Sequence, residues 1–363
     1  MDCCALGRTH ARAMSVTTVV ACVGLLVAYP LARTQCAPGA CEVVLHKVAT
    51  LSAEGRANLF PEYSLFVVQD RLGRFFTTSR SWDQVLVFER SGRLSSVLAS
   101  ADNGVYRRIT NLIPIADGSI LVHDSILRRT FIVGPDLKVR RTVPVALRPT
   151  FVLDGDKYVV AEQVPTTDLA GQPIHIIDGD GRVIRSFGAN TGVYRADQQL
   201  MSSRIVAPGD GRIWVVAPGR YVLEQWSPAT GELMQSTIVQ SSWFKEARTY
   251  NYDERIRPTA IIQALWVTGG IGWVLLRDAD TNWQPPARPN VERPVTAAEN
   301  DRMYDWVLEA VDTKSGRVLA SKRFGSALWV RPTTPLVTSR AEQGGAVNVD
   351  VWTVALSLKE ERQ

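Results

Sequence analysis

One short unit recurs along this chain and narrows the folds open to it: a polar turn carrying Gly or Asp, then a run of alternating or continuous apolar residues. It reads GRFFTT (73–78), GSILVHD (118–124), DKYVVAE (156–162), GRIWVVA (211–217) and GWVLL (272–276). A second apolar run with its own polar turn follows each time, in QVLVFERSGRL (84–94), TFIVGPDLKV (130–139), IHIIDGDGRVI (174–184), LEQWSPATGEL (223–233) and VLEAVDTKSGRV (307–318). A further apolar strand precedes every pair. The enrichment in Val, Ile, Phe, Tyr and Trp and the short turns suit antiparallel hairpins. No segment sustains a 3.6-residue apolar stripe between capping signals, so helix is minor.

Five such four-stranded units begin near residues 62, 109, 149, 203 and 259. A sixth, built from ALWVRPT, PLVTSRAEQ and VNVDVWTVAL, lacks one strand, and EVVLHKVATL (42–51) is left over at the other end. The expected fold is therefore all-β: a six-bladed β-propeller of four-stranded antiparallel blades, its last blade closed by the N-terminal strand. Ring closure of this kind leaves few exposed sheet edges. The units resemble bacterial exported six-bladed β-propellers of the TolB-like and NHL-like kind. The residues that carry the resemblance are DGSILVHDSILRRTFIVGPDLKV (117–139) and GDGRIWVVAPGRYVLEQWSPATGEL (209–233), and it extends over about residues 42–356. The resemblance implies the fold and leaves function open, because binding modules, scaffolds and enzymes share it.

Residues 1–35 read as a leader and 36–363 as the propeller. Arg8 and Arg12 precede an uncharged stretch from Ala13 to Ala32, the pattern of a secretory signal, or of a membrane anchor if uncleaved. The expected location is periplasmic or secreted, with the membrane met only through an uncleaved leader. Of five cysteines, only Cys36 and Cys41 lie beyond that leader, in CAPGAC. In an exported chain this pair favours a small disulfide loop. Zinc is a poor fit, since His46, His123 and His175 are the only histidines outside the leader and no CxxC occurs. The net charge of +5 is scattered, without a run of five like charges, so nucleic acid is not expected as a partner.

Label the strands of a blade a to d from the axis outward. Antiparallel pairing then puts the d→a and b→c connections on one face of the disc. The tetrapeptide GVYR occurs twice, at 104–107 and 192–195, just ahead of inner strands in blades 2 and 4. Arg148-Pro149-Thr150, Arg257-Pro258-Thr259 and Arg331-Pro332-Thr333 lead into blades 3, 5 and 6, and Arg56 precedes blade 1. The candidate ligand-binding set is thus Arg56, Tyr106, Arg107 (with Arg108), Arg148, Tyr194, Arg195 (with Arg204), Arg257 and Arg331. Arginines around one concave mouth would focus positive potential and bind carboxylate or phosphate bidentately. Against this stands a structural reading, in which Pro fixes the turn and the arginines pair with acids such as Asp102, Asp197 or Glu254. The polar, Pro-rich connection 277–301 belongs on the same face, as a flap or as a tolerated insertion.

Catalytic signals are sparse. A calcium-dependent lactonase or esterase-type hydrolase would need oxygen ligands converging on the channel, with Glu62, Asn111 and Asp154 as candidates. His123 and Asp124 are neighbours on a strand and point to opposite faces, so they form no dyad. Ser202-Ser203 lacks a nucleophile-elbow context, and DGDG at 178–181 reads as a hairpin turn, since the other ligands of a calcium loop do not follow. Trp214, Trp226, Trp243, Trp266, Trp273 and Trp352 suit the wedges between blades, with Trp243 or Trp283 as surface rings that would stack on a ligand. The expected function is a non-catalytic ligand-binding or protein-interaction module, a monomer with no cofactor (Ca2+ in the hydrolase alternative). Its expected partner is an envelope protein or an anionic small molecule. A purely structural envelope component is a third reading.

Overall fold

Alternation and turn spacing dictate the pairing observed in the structure, a computed structural model. It describes residues 36, 39–52, 59–61, 66–101, 104–143, 147–154, 156–162, 171–188, 200, 203–249, 255–285, 303–325, 328–330, 335–341 and 347–359. The 1–35 leader lies outside them. β1 (Cys41–Leu51) comes first. Blade 1 holds β2 (Val68–Gln69), β3 (Phe75–Thr78), β4 (Val85–Phe88) and β5 (Leu94–Leu98). A short ribbon of β6 (Ser100–Ala101) and β7 (Gly104–Val105) follows. Blade 2 holds β8 (Ile109–Pro114), β9 (Ile120–Asp124), β10 (Arg129–Val133) and β11 (Val139–Val143). Blade 3 holds β12 (Pro149–Asp154), β13 (Lys157–Ala161), β14 (Ile174–Ile177) and β15 (Val183–Phe187). Blade 4 holds β16 (Ile205–Gly209), β17 (Arg212–Ala217), β18 (Arg220–Trp226) and β19 (Leu233–Ile238). Blade 5 holds β20 (Ile261–Thr268), β21 (Ile271–Ala279), β22 (Tyr304–Asp312) and β23 (Val318–Phe324).

Blade 6 is the composite one: β24 (Leu336–Ala341), β25 (Val347–Leu358) and β1 pair in the order β24-β25-β1. The described part of its inner strand, 328–330, keeps a single bridge, Trp329 to Val337. The fold is thus the expected six-bladed all-β propeller, closed by the N-terminal strand.

The second Gly turn of the repeat shares a bulge and a left-handed residue across the blades. In blades 1 to 5 every c–d hairpin shifts register at the last paired residue of strand c. Its turn holds a left-handed residue: Gly92, Leu137, Gly181, Gly231 or Gly316, with φ between 65° and 91°. In blades 1 to 3 this is the three-residue hairpin with a bulge; in blades 4 and 5 the loop has four residues, Gly231 and Gly316 donating to the carbonyls of Ser227 and Asp312, and in both forms the left-handed position favours Gly. Gly92 meets a second demand, because a Cβ there would lie 2.1 Å from the carbonyl oxygen of Thr50 at the end of β1.

Apolar side chains collect between blades, with one cluster at each of the six interfaces in the described residues. Trp214, Trp226, Trp266, Trp273 and Trp352 all fill these wedges. β1 feeds two of them. Cys41, Val43 and Leu45 pack toward blade 5, while Ala49 and Leu51 pack toward blade 1. Consecutive odd residues of a regular strand would share one face. The register slip between Lys47 and Ala49 turns the strand over, so that one strand serves both cores. Cys36 and Cys41 are joined in a disulfide at its start.

Leu51 is fully buried in the closing interface, whereas Val48 at the bulge is 45% exposed. Leu51→Ala is therefore expected to lower stability by about 2–5 kcal/mol. Val48→Ala should stay within about 0.5 kcal/mol. Urea unfolding of the two variants side by side checks this, and equal midpoints would contradict the closure role of Leu51.

Candidate functional site

The face shared by the d→a lead-ins and the b→c turns is best defined at blade 2. Asp124 ends β9 and is fully buried. Its Oδ2 accepts hydrogen bonds from the backbone N–H of Arg107 (2.6 Å) and Arg108 (3.1 Å), and its Oδ1 from Ile126 (3.0 Å) and Leu127 (2.9 Å). The amide of Ser125 donates to the carbonyl of Arg108 at 3.0 Å. One inward-turned carboxylate thus ties the lead-in and the b→c turn into a single head. Each such charge-assisted bond is worth roughly 1.5–3 kcal/mol.

Asp102, Asp197 and Glu254, the acids expected to pair with the arginines, lie outside the described residues. Because Asp124 faces the backbone amides, no carboxylate pairs with Arg107, Arg108, Arg128 or Arg129 among the described residues, and all four are exposed. Arg129 sits directly across the ladder from Asp124, and Arg128 takes a left-handed φ of 51° in the turn. Blade 3 has a looser, exposed counterpart: Glu162 Oε2 accepts from the backbone N–H of Arg148 at 3.3 Å, and the Arg148 side chain is exposed. Arg128 and Arg129 escape a search of the d→a segments alone. Their signal is the second Arg-Arg pair, in SILRRT (125–130), facing the Arg107-Arg108 pair across the hairpin.

The histidines beneath this face are structural. His123 is buried, with Nδ1 3.0 Å from Thr130 Oγ1. Burial, reinforced by the nearby charge of Arg148 and opposed by Asp124, lowers its pKa from 6.5 to about 4. His175 is buried between Ser186 Oγ (2.7 Å from Nδ1) and the carbonyl of Glu162 (3.0 Å from Nε2), and burial lowers its pKa too.

Other predicted residues have different places. Tyr106 does not face a ligand: it is 1% exposed and packs edge-on against Phe131, centroids 5.3 Å apart, because alternation past the β6–β7 ribbon turns it into the blade 1–blade 2 core. Arg257 is exposed and donates to the carbonyl of Asp280 at 3.2 Å. Arg204 is half-buried beside β16, and burial lowers its pKa. Arg56, Glu62, Tyr194, Arg195, Arg331 and the 286–301 part of the long connection lie outside the described residues.

The remaining calcium candidates do not converge. Asn111, near the start of an inner strand, is buried and donates to the carbonyl of Pro149, whereas Asp154 ends the neighbouring inner strand. At about 3.3 Å per residue they are separated by ~10 Å or more along the channel. No group of three or more His, Cys, Asp or Glu side chains suited to a metal occurs among the described residues. Trp243 is not a free stacking ring either. Its Nε1 donates to Glu309 at 2.8 Å, and Tyr221 donates to the other carboxylate oxygen at 2.8 Å. Glu309 is buried, which raises its pKa despite these bonds. The trio closes the blade 4–blade 5 wedge.

No family model matches the sequence, and no curated protein is similar to it. Among solved structures the chain is similar to a member of the DUF4221 family from Bacteroides vulgatus, at 8% identity over 88% of this chain and 100% of that one, with a TM-score of 0.58. It is also similar to a protein of Bacteroides fragilis that its name marks as a candidate exported protein, at 10% identity over 89% of this chain and 97% of that one, with a TM-score of 0.55. At such identities the likeness is one of fold.

His123 makes stability pH-dependent with a definite sign. The unfolded chain takes up the proton near pH 6.5 and the folded one only near 4, so acidification through that window favours unfolding. The gap amounts to ~3 kcal/mol at its acid end. His123→Gln is expected to flatten the pH 4–6.5 limb of a urea-midpoint profile relative to wild type. Parallel profiles would contradict the assignment.

Proposed function

We propose that this chain is an exported, non-catalytic recognition module that binds an anionic partner through the d→a/b→c face, centred on blade 2. The observation that carries the reading is the direction of two carboxylates. Asp124 and Glu162 point at backbone amides, and Arg107, Arg108, Arg128, Arg129 and Arg148 are left exposed without a carboxylate partner among the described residues. Arginine suits such a surface, because its guanidinium is weakly hydrated and pairs bidentately with carboxylate or phosphate. Ile126, 61% exposed in the same turn, adds an apolar contact amid the charges. That combination favours an acidic protein surface, since aromatic and aliphatic anchors with Arg mark interface centres. The Cys36–Cys41 disulfide and the apolar leader support residence in an oxidising, extracytoplasmic compartment.

A fluorescein-labelled polyglutamate peptide serves as the probe. Binding should weaken with added salt. It should fall about ten- to a hundredfold in Arg107→Gln/Arg129→Gln/Arg148→Gln, since three exposed pairs at up to ~1 kcal/mol each are lost. Arg90→Gln, in a c→d turn, is the control. If the folded triple variant and the control bind alike, the face is not the recognition surface.

A further inference from the structure

The blades are copies, so a position that departs from its copies reveals what one copy does differently. Two residues beyond the c–d bulge, the outer strands of blades 2, 3 and 4 place Arg141, Arg185 and Gln235, paired across the ladder with Ile132, Ile176 and Gln225. In blade 2, Arg141 reaches over the next blade. Its guanidinium donates to the carbonyl of Gly179 at 2.9 Å and pairs with Asp156 (3.3 Å) and Asp180 (3.1 Å), from the a→b and c→d turns of blade 3. In blade 4, Gln235 makes the corresponding bond to the carbonyl of Thr313 at 2.8 Å.

Between blades 3 and 4 this staple is missing. Counted from the start of each turn, the positions that match Asp156 and Asp180 are Gly211 and Ala229, and the carbonyl that matches Gly179 belongs to Pro228; the c→d turn of blade 4 is one residue longer, and its a→b turn carries its acid one residue earlier, at Asp210, which makes no ion pair with Arg185. Arg185 is half-buried, with its stem against the c→d turn of blade 4: a Cβ at Gly231 would sit 3.3 Å from its Cδ. It has no hydrogen-bond or ion-pair partner among the described residues. Where the two acids stand at the neighbouring junction, a cleft of about 480 Å³ opens here, lined by Arg185, Gly211 and Ala229. Its other walls are apolar, from Leu153, Ile176, Ile184 and Pro228, with Ile184 50% exposed. Lys157 and Asp154 flank it, in register across the a→b turn, without forming an ion pair.

We infer that this blade 3–blade 4 cleft binds a small amphipathic carboxylate, whose head group takes the place of the two missing acids and whose hydrocarbon body covers the apolar wall. The stem of Arg185 packs on the c→d turn of blade 4 and its guanidinium has no anion of the chain among the described residues, and a carboxylate satisfies that planar fork with two parallel bonds. The volume lies in the range of small-molecule sites. With Lys157 and Arg185 against Asp154, the cleft carries one excess positive charge. It lies on the a→b/c→d turn side, away from the arginine face, and does not depend on that face's function.

Titration calorimetry with decanoate, below its micelle threshold, tests the site. Wild type should bind one molecule. Arg185→Gln should weaken decanoate at least tenfold and leave decanol unchanged, because only the head group contacts Arg185. Ala229→Asp, on an exposed turn, should restore the staple: decanoate binding is lost and the thermal midpoint rises. It also decides the matter if Arg185→Gln fails to fold. No decanoate binding by wild type, binding that survives Ala229→Asp, or equal loss of decanoate and decanol in Arg185→Gln would each overturn the inference. Arg107→Gln/Arg129→Gln/Arg148→Gln should bind decanoate as wild type does, so failure of one site leaves the other standing.

Discussion

Ring closure by β1 against β25 is the contact on which the other blades rely. Each interface core is made by two neighbours, so a propeller cut open would bare two sheet faces and lose one interface entirely. β1 and β25 close the ring by pairing from Cys41–Leu358 to Leu51–Val349. They send alternate faces into the cores with blades 5 and 1. The slip at Val48 is what makes this workable for β1. Without it, the residues that fill one core would be those needed for the other. The carbonyl of Gly92 then accepts from Ser52 at 3.1 Å, carrying the closure on into blade 1. Two ends of the chain, about 300 residues apart, are held by one ladder.

Much of this was legible in the sequence, for a physical reason. Glycine at the left-handed position of a bulged hairpin and β-branched or aromatic alternation are local requirements, so they repeat wherever the local structure repeats. What escaped is what tertiary packing decides. Of ALWVRPT, the described residues 328–330 bridge Val337 through Trp329, whose ring packs at 5.5 Å against Trp306, a contact that no local pattern specifies. Leu137 takes the left-handed position that glycine fills in the other blades, with φ 65°, and packs against the blade 1–blade 2 core. No propensity forecasts that exchange of backbone strain for apolar contact. Tyr106 looked like half of a repeated recognition motif and is a core residue.

The arginine face shows a subtler limit. An acid near an arginine in sequence suggests a salt bridge, and the acids expected in that role, Asp102, Asp197 and Glu254, lie outside the described residues. Asp124 is buried and bonds to backbone N–H groups, which cannot turn to water once the hairpins are packed. A buried carboxylate has a stronger claim on such fixed donors than on a flexible side chain that can reach solvent. Asp124 therefore fixes the shape of the head, and the arginines supply its charge.

Repetition also sharpens what a difference means. In a single-copy fold a half-buried, unpartnered arginine has no reference state. Here Arg141 supplies one, at the same register and the same distance from the bulge, with two carboxylates and a carbonyl around it. Gln235 shows that the position can be satisfied without charge. Had the blade 3–blade 4 junction simply lost its staple by drift, an uncharged residue such as glutamine, or an apolar one such as the alanine at Ala320 in blade 5, would relieve the desolvation of the guanidinium. Arg185 keeps the cation while both turn acids give way to Gly211 and Ala229, small residues that leave room. A retained charge beside a vacated space calls for an anion from outside the chain. Likeness among the blades accounts for the fold, and the junction that keeps the cation without the acids around it is where a ligand fits.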